Sequence, residues 1–317
     1  MKEQHFTFTA DDGAKLFVYR WQINKKIGKA VVHIAHGLAE HAGRYERLAE
    51  TLTENGFVVF ANDYRGHGKT ASSAADIGHF ADQHGWQRIL KDIEELARFE
   101  RNEFFGHRVI LFGHSLGSLV AQHLATRDLF DAVAMSGANG LVSPLARAGK
   151  LIAKIERWRL GKRGKSELIN NLTFDAFNKP FRPNRTSFDW LSRDEAEVDK
   201  YIADPMCGFL CSTQLWLDVV DAVTEAAKPE FRAHVPKQLP IYLFSGSRDA
   251  ANEEGRGSTA LAEYYRSHGM EKVSYRIFTQ ARHETLNETN REEVTEHLVD
   301  WMNAIVKLLE ARDRANS

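Results

Sequence analysis

The sequence predicts an α/β fold, in which a mostly parallel central sheet carries helices on both faces and holds an inserted helical cap. In the first half of the chain, short apolar, β-branched runs alternate with amphipathic segments, an order typical of a parallel sheet wrapped by helices. The stretch 139–235 then lacks clear strand-like runs. Two such runs, 239–244 and 273–279, follow it, so the sheet is predicted to continue after the insertion.

The elements of the first half follow in a regular order. The turn signal Asp11-Asp12-Gly13 separates two strand-like runs and predicts a hairpin at the start of the sheet. Periodicity predicts the remaining elements as strands 5–9, 16–21, 30–35, 57–61, 108–112 and 132–136, and helices 44–55, 86–103 and 118–127. Since parallel sheets carry their functional groups at the C-terminal ends of strands, we look for a site there.

Composition narrows the class of protein. The chain has 317 residues, 43% of them hydrophobic and 27% charged, with a net charge of −1. It is long enough to bury a large core, and its charge balance gives no reason to expect nucleic-acid binding. The N-terminus lacks the apolar core of a signal peptide, and no run is long enough to span a membrane. Cys207 and Cys211 are the only cysteines and have no matching histidine cluster. We therefore expect reduced thiols, no cofactor or metal, and a cytoplasmic protein.

The segment Gly113-His114-Ser115-Leu116-Gly117 lies between the predicted strand 108–112 and the predicted helix 118–127. In a strand, turn and helix context, a Gly-x-Ser-x-Gly pattern predicts a nucleophilic serine. A serine on so sharp a turn has a strained backbone, and neighbours without side chains let the strand and helix approach. The alternative is a chance glycine-serine turn, which this context disfavours.

A nucleophilic serine needs a base, and the base needs an acid to orient it. Asp249 follows the strand-like run 239–244, and His283 follows the run 273–279. We predict that Asp249 is the acid and His283 the base. The alternatives are a helix N-cap for Asp249 and an ordinary surface position for His283, but the order of Ser115, Asp249 and His283 favours a triad.

Two backbone N–H groups are expected to stabilise the oxyanion that acyl transfer creates. One is predicted at Leu116, directly after the serine, and the other at Leu38, in the turn after strand 30–35. The side chains of both leucines then remain free to shape the acyl pocket. His36 lies in the same turn and is expected to brace the loop, since His283 already supplies the base.

We predict three sections of chain, with residues 1–138 and 236–317 forming the core and 139–235 forming the cap over the serine. The cap contains eight basic residues and one acid between Arg147 and Lys165. Two stripes recur there at helical spacing, an apolar one (Leu145, Ala148, Leu151, Ile152, Ile155, Trp158) and a basic one (Arg147, Lys150, Lys154, Arg157). We favour a cap helix packed on the core with a solvated basic face. The alternative is peripheral docking of this helix on a lipid surface.

Several segments resemble the monoacylglycerol lipase and lysophospholipase branch of the α/β-hydrolase superfamily, which is close to the serine aminopeptidases. They run in order from His36 to about Arg291 and comprise His36–His41 with Arg44-Tyr45, Asp63–Gly68, Gly113–Ser118, Gly246–Asp249, and Arg282–Glu284 with Asn287-Glu288. The cap stretch 188–194 and Asp204-Pro205 also resemble bacterial members. Two positions depart from the pattern: Ala39 stands where many relatives have glycine, and Ala250-Ala251-Asn252 where many have Pro-Val after the acid.

The resemblance implies the α/β-hydrolase fold, a triad of Ser115, Asp249 and His283, and oxyanion donors at Leu38 and Leu116. The predicted activity is hydrolysis of a small-molecule ester with a single acyl chain, a monoacylglycerol or lysophospholipid, through an acyl-enzyme. A serine aminopeptidase or amidase is the alternative and needs a cap carboxylate for the substrate amine, for which the candidates are Glu195, Glu197, Asp199 and Asp218. A non-enzymic ligand-binding member is the third possibility and is disfavoured, because all three triad residues are present.

Overall fold

The computed structural model describes residues 1–23, 28–140 and 145–316, without the side chains of 145–148 and 316. Its central sheet has eight strands: β1 (Lys2–Thr9), β2 (Lys15–Gln22), β3 (Ala30–Ala35), β4 (Val58–Asn62), β5 (Arg108–His114), β6 (Ala132–Ser136), β7 (Ile241–Gly246) and β8 (Val273–Phe278). Their spatial order is β1-β2-β4-β3-β5-β6-β7-β8. The β1–β2 and β2–β4 pairs are antiparallel, and the others are parallel. The predicted α/β class with an opening hairpin is confirmed.

Helices cover both faces of this sheet. They are α1 (Glu46–Glu54), α2 (Gly85–Glu103), α3 (Leu116–Leu124), α4 (Leu145–Leu160), α5 (Glu167–Asn178), α6 (Glu195–Ala203), α7 (Thr213–Ala226), α8 (Pro229–Arg232), α9 (Arg256–Ser267) and α10 (Arg291–Asn316). Helices α4 to α8 all fall between β6 and β7. None of the helices in the described ranges is long and apolar enough to cross a membrane.

Several predicted helix boundaries lie one to three residues from the observed ones, and two of the helix starts differ most. The helix predicted at 44–55 begins at Glu46, because residues 42–45 form a 3₁₀ turn. The helix after Ser115 begins at Leu116, two residues before the predicted start. The turn at the serine is therefore tighter than the sequence pattern suggested.

The central strands are buried on both sides because helices cover both faces. Alternate residues of β3 enter two separate apolar clusters, with Val31 in one and Val32 in the other. Helices α1 and α10 pack on one face, and α2, α3 and α9 pack on the other. This continuous burial explains why β3 and β5 read as apolar runs rather than as alternating ones.

The chain segments that follow β3, β5, β7 and β8 emerge at one edge of the sheet, because these four strands are parallel. In the loop after β3, Ala39 has a left-handed backbone with φ = +56°. Its carbonyl accepts hydrogen bonds from the Tyr201 hydroxyl at 2.8 Å and the Gly208 N–H at 2.9 Å. These bonds from the α6 region hold the loop in a conformation that alanine adopts at a cost.

Replacing Ala39 with glycine removes the Cβ that makes this conformation unfavourable. We expect Ala39→Gly to raise the free energy of unfolding by up to about 1 kcal/mol, measured by urea denaturation. The matched control is Ala304→Gly, at an exposed position inside α10, which should lower the same quantity by about 1 kcal/mol. A loss of stability in both variants would contradict the assignment of strain to Ala39.

Candidate active site

Ser115 occupies the turn between β5 and α3 with φ = +51° and ψ = −113°. A Cβ added to Gly113 would lie 2.1 Å from the Gly117 carbonyl oxygen, and one added to Gly117 would lie 1.9 Å from the Ala35 oxygen. Only glycine fits at these two positions, because β3, β5 and α3 approach each other there. The close approach holds Ser115 in a strained backbone that turns its side chain toward the loops after β7 and β8.

The structure brings Ser115, His283 and Asp249 into one hydrogen-bonded chain. His283 Nε2 lies 2.8 Å from the Ser115 hydroxyl, and His283 Nδ1 lies 2.9 Å from Asp249 Oδ1. A neutral imidazole satisfies both contacts when Nδ1–H donates to the carboxylate and Nε2 accepts from the hydroxyl. This is the geometry of a serine nucleophile, a general base and an orienting acid.

Asp249 is fully buried and also caps the 3₁₀ turn after β7. Its Oδ1 accepts from the Ala251 and Asn252 N–H groups at 3.0 and 3.2 Å, and its Oδ2 accepts from the Ser245 hydroxyl at 3.0 Å. The Asp249 carboxylate therefore both caps this turn and contacts His283, so the two interpretations of Asp249 are compatible. The backbone and hydroxyl donors fix the orientation of the carboxylate that His283 contacts.

Burial and charge act in opposite directions on this pair. Burial alone lowers the pKa of His283, but the Asp249 carboxylate outweighs burial and raises that pKa above its usual 6.5. Burial alone raises the pKa of Asp249, and the charge and hydrogen bond of His283 bring it below 3.8. The neighbouring His114 ring, 4.9 Å from His283 between centroids, has its pKa lowered to about 4 by burial. Of these two rings, His283 is therefore the one whose pKa is raised, and it is the one suited to accept and hold a proton.

Leu38 and Leu116 both line the cavity into which Ser115 opens. Leu116 is the first residue of α3, so its N–H has no partner within the helix. In the described part of the chain, neither Leu38 N–H nor Leu116 N–H donates to a protein acceptor. Both backbone donors therefore remain available to a bound oxygen atom.

His36 contacts the loop and not the serine. Its Nδ1–H donates to the Gly37 carbonyl at 2.7 Å, and its Nε2 accepts from the Tyr64 N–H at 3.0 Å. Burial lowers the pKa of His36 to about 3, so the ring is neutral. These contacts match the bracing role expected from the sequence.

An ion cluster beside the triad was not predicted from the sequence. Arg44 donates two hydrogen bonds of 2.7 Å to Glu284, the residue after His283. It also pairs with the buried Glu40, which accepts from the Gly37 N–H. The charge of Arg44 overcomes burial and lowers the pKa of both carboxyl groups. The cluster ties the loop after β3 to the loop after β8, and the motif around Glu40 and Arg44 was the available signal.

Residues 188–194, the segment before α6, contact His283 and Glu284, and the sequence analysis did not predict this contact. The Trp190 ring lies 4.9 Å from the His283 ring between centroids. The Trp190 carbonyl accepts from His283 N–H at 3.3 Å, and the Leu191 carbonyl accepts from Glu284 N–H at 2.8 Å. Trp190 therefore covers His283 and joins the helices between β6 and β7 to the loop after β8. The sequence signal was the stretch 188–194, which resembled bacterial relatives without revealing a function.

Ser115 opens into a cavity of about 240 Å³. Its wall on the core side comes from the start of α3, and the opposite wall comes from α5 and α7. The lining is mainly apolar and aromatic, with Leu38, Leu116, Leu119, Phe174, Phe177, Trp190, Trp216, Val219, Val223 and Ala251. Ala251 belongs to the segment that departs from the family pattern after the acid, so this departure reaches the pocket wall.

The cap carboxylates considered for amine binding lie away from this cavity. Glu197 binds Arg47, and Asp199 binds Arg185, which also faces Glu195. Asp218 lines a separate groove between α4 and α7. Among the residues that the structure describes, no carboxylate lines the cavity at Ser115.

His41, Asp204 and Cys207 lie close enough to consider a metal ion, with their ligand atoms within 4.8 Å of one another. However, His41 Nδ1 accepts from the Gly43 N–H, so Nε2 carries the proton and donates to Asp204 at 2.9 Å. Burial raises the pKa of the Cys207 thiol, which keeps it protonated. His41 and Asp204 satisfy each other by hydrogen bonding, and beside a protonated thiol they do not form a good metal site.

Comparison with known proteins identifies the family. A family model described as serine aminopeptidase, S33 (Hydrolase_4) matches residues 27–290. The monoglyceride lipase of Homo sapiens is 29% identical over 258 residues, which cover 81% of this chain and 76% of that protein. The monoacylglycerol lipase of Mycolicibacterium smegmatis is 26% identical over 280 residues, covering 86% and 88%.

Among solved structures, a thermostable carboxyl esterase from Bacillus coagulans in complex with glycerol superposes with a TM-score of 0.88. It is 24% identical and covers 96% of this chain and 99% of its own; this likeness shows a shared fold. The resemblance to the monoacylglycerol lipase branch is thereby confirmed at the level of family and fold. The chain belongs to the serine aminopeptidase S33 family and is a hydrolase with the α/β-hydrolase fold, related to lipases and esterases.

Proposed function

We propose that this hydrolase cleaves a carboxylic ester with a single acyl chain, a monoacylglycerol or a lysophospholipid. The observation that carries the proposal is the chain Ser115–His283–Asp249 at the mouth of a mainly apolar cavity. An apolar cavity favours a hydrocarbon chain, and the similarity to monoglyceride lipases supports the same substrate class.

In the proposed reaction, Ser115 attacks the ester carbonyl while His283 takes the hydroxyl proton at Nε2. The Leu38 and Leu116 N–H groups stabilise the tetrahedral oxyanion, and losing one such donor costs about 3 kcal/mol in barrier. His283 then gives its proton to the departing alcohol, and an acyl-enzyme forms. Water repeats the cycle and releases the acid. Asp249 stays ionised and stabilises the imidazolium that forms in each half-reaction.

We propose that residues 139–235 act as a cap on a core formed by 1–138 and 236–317. Two contributions to the cavity support this division. Thr173, Phe174 and Phe177 of α5, with Val219 and Val223 of α7, form one wall, and the residues that start α3 form the other. The inserted helices thus contribute most of the apolar surface that a substrate would contact.

An aminopeptidase using the same triad is the alternative, and the description of the family model favours it. Such an enzyme needs a negative group beside the free amine of its substrate. The described lining offers none, and the four candidate carboxylates lie elsewhere. A non-enzymic role is disfavoured because the three side chains form a connected proton path.

We also propose that α4 contacts a lipid surface. Much of the apolar stripe of α4 does not pack on the core: Leu151, Ile155 and Trp158 are 61%, 52% and 88% exposed, whereas Ile152 packs against the core. The basic stripe is partly engaged instead, since Lys150 pairs with Asp221 and Arg157 binds Gln214, both on α7. Leu145, Arg147 and Ala148 have side chains outside the described part of the chain. Exposed apolar side chains beside lysines suit an anionic lipid surface.

Replacing the nucleophile should abolish ester hydrolysis without unfolding the protein. We expect Ser115→Ala to lower kcat on glyceryl and p-nitrophenyl esters by roughly 10⁴-fold or more, with a nearly unchanged thermal midpoint. A panel of aminoacyl amides assayed beside the esters separates the two hydrolase activities. Faster turnover of the amides by the wild type would favour the aminopeptidase, and turnover retained by Ser115→Ala would exclude this triad.

The raised pKa of His283 predicts the acid limb of the pH profile. Below that pKa the imidazole is protonated and cannot accept the Ser115 proton, so kcat/KM should rise with pH and have its midpoint above 6.5. Asp249→Asn removes the charge that raises the pKa, so the limb should move to lower pH and the rate should fall. The control is Asp218→Asn, because burial raises the pKa of Asp218 to about 6 in a separate groove. If Asp218→Asn shifted the acid limb of the pH profile, the assignment of that limb to His283 would be contradicted.

Lipid contact is tested by flotation with vesicles that contain anionic phospholipid. We expect the wild type to float with the vesicles, and Trp158→Ser to weaken binding by roughly tenfold, because a large apolar side chain no longer enters the interface. Phe105→Ser is the matched control, since Phe105 is 89% exposed in the turn before β5, at the opposite end of the sheet. Equal binding by both variants, or no binding by the wild type, would exclude the proposed face.

A further inference from the structure

Gln122 places a polar group in the apolar wall of the cavity at Ser115. It lies on the cavity side of α3 with Ser118 and Leu119. The residue is only 2% exposed, and its Nε2 has no hydrogen-bond partner among the described residues. A buried amide donor is normally paired, because leaving it unpaired costs free energy. Gln122 therefore leaves an unpaired amide donor in the wall of the cavity.

The other uncharged polar side chains of the cavity wall are mostly satisfied within the protein. The Ser118 hydroxyl donates to the Ser115 carbonyl at 2.6 Å, and the Thr173 hydroxyl donates to the Ile169 carbonyl at 2.8 Å. Trp190 Nε1 also lacks a partner, but that ring lies against His283 at the reacting end. Gln122 is thus an unpaired donor in a part of the wall away from the triad.

Helix geometry sets the distance of this donor from the reaction. Gln122 comes seven residues after Ser115, which is about 10 Å along a helix axis. Leu119 lies between them on α3, and Val219 and Val223 of α7 line the same cavity. An acyl chain that starts at Ser115 would therefore run past apolar side chains before it reaches the carboxamide.

We infer that Gln122 determines acyl specificity, by donating a hydrogen bond to a hydroxyl or carbonyl oxygen in the distal part of the acyl chain. The inference rests on the proposed ester hydrolysis and narrows its substrates to esters of oxygenated acyl chains. A plain chain leaves the donor unpaired, and a site with an unpaired polar group discriminates against such a ligand. The selectivity arises in binding the chain, so Gln122 takes no part in bond cleavage.

The test compares p-nitrophenyl esters of plain acyl chains with esters of equal length that carry one hydroxyl at successive distal positions. For at least one position, the wild type should prefer the hydroxylated chain about tenfold in kcat/KM. Gln122→Leu should lose that preference and cleave the plain chain at least as well as the wild type. Equal preferences in the two proteins would overturn the inference.

Two further comparisons locate the oxygen. Thr173→Val removes a lining hydroxyl that is already paired, so the ratio between hydroxylated and plain chains should stay as in the wild type. Glyceryl and methyl esters of one plain acid test the alcohol part of the substrate. If Gln122→Leu changes the ratio between these two esters and not the acyl ratio, the oxygen belongs to the alcohol and the inference is wrong.

Stability and binding measurements keep the inference separate from the proposed reaction. Because Gln122→Leu removes an unpaired buried donor, its thermal midpoint should equal or exceed that of the wild type; a clear loss would show that the carboxamide serves the fold. Calorimetry of Ser115→Ala with the plain and hydroxylated free acids measures the same preference without turnover. Absent ester hydrolysis with a retained preference would refute only the reaction, and absent preference would refute the role of Gln122.

Discussion

The close approach of α3 to β3 and β5 is the constraint on which the site depends. At Gly113 and Gly117 any Cβ would lie within about 2 Å of a backbone oxygen, so the strand and helix meet only if both residues are glycine. Ser115 between them is held at a positive φ, an unfavourable conformation that the surrounding packing stabilises. Because of this conformation, the Ser115 hydroxyl lies at one edge of the sheet, within reach of the loops after β7 and β8.

The second condition is that those loops stay in place. Asp249 is held by two backbone N–H groups and a hydroxyl, so its carboxylate cannot rotate away from His283. Arg44 bridges the loops after β3 and β8 through buried carboxylates. Breaking one member of such a cluster leaves a buried charge without a partner. The loops that carry Leu38 and His283 are therefore linked by a contact that resists independent movement.

Much of the fold and the proximity of the three candidate triad residues was predictable because local pattern and chain order carry the information. Parallel strands buried on both faces are recognisable as short apolar runs, and each predicted site residue follows one of them. The buried cluster of Arg44 with Glu40 and Glu284 was harder to predict, since its members lie 4 and 240 positions from Arg44. The packing of α4 agreed only in part with the favoured interpretation: Ile152 and Ala153 meet the core, but Leu151, Ile155 and Trp158 are exposed. Helical spacing identifies an apolar stripe without indicating which of its residues meet the protein.

The amino-acid sequence by itself determined the α/β class, the order of the strands along the chain and the candidate triad at Ser115, Asp249 and His283. These depend on periodicity and on glycines at fixed spacing, which are local properties. Only the tertiary structure decided that Trp190 covers His283, that the candidate carboxylates lie outside the cavity, and that Gln122 lines the cavity and has an unpaired amide nitrogen. The reason is physical: burial and hydrogen-bond satisfaction depend on which distant segments meet, and a single stretch of sequence does not contain that information.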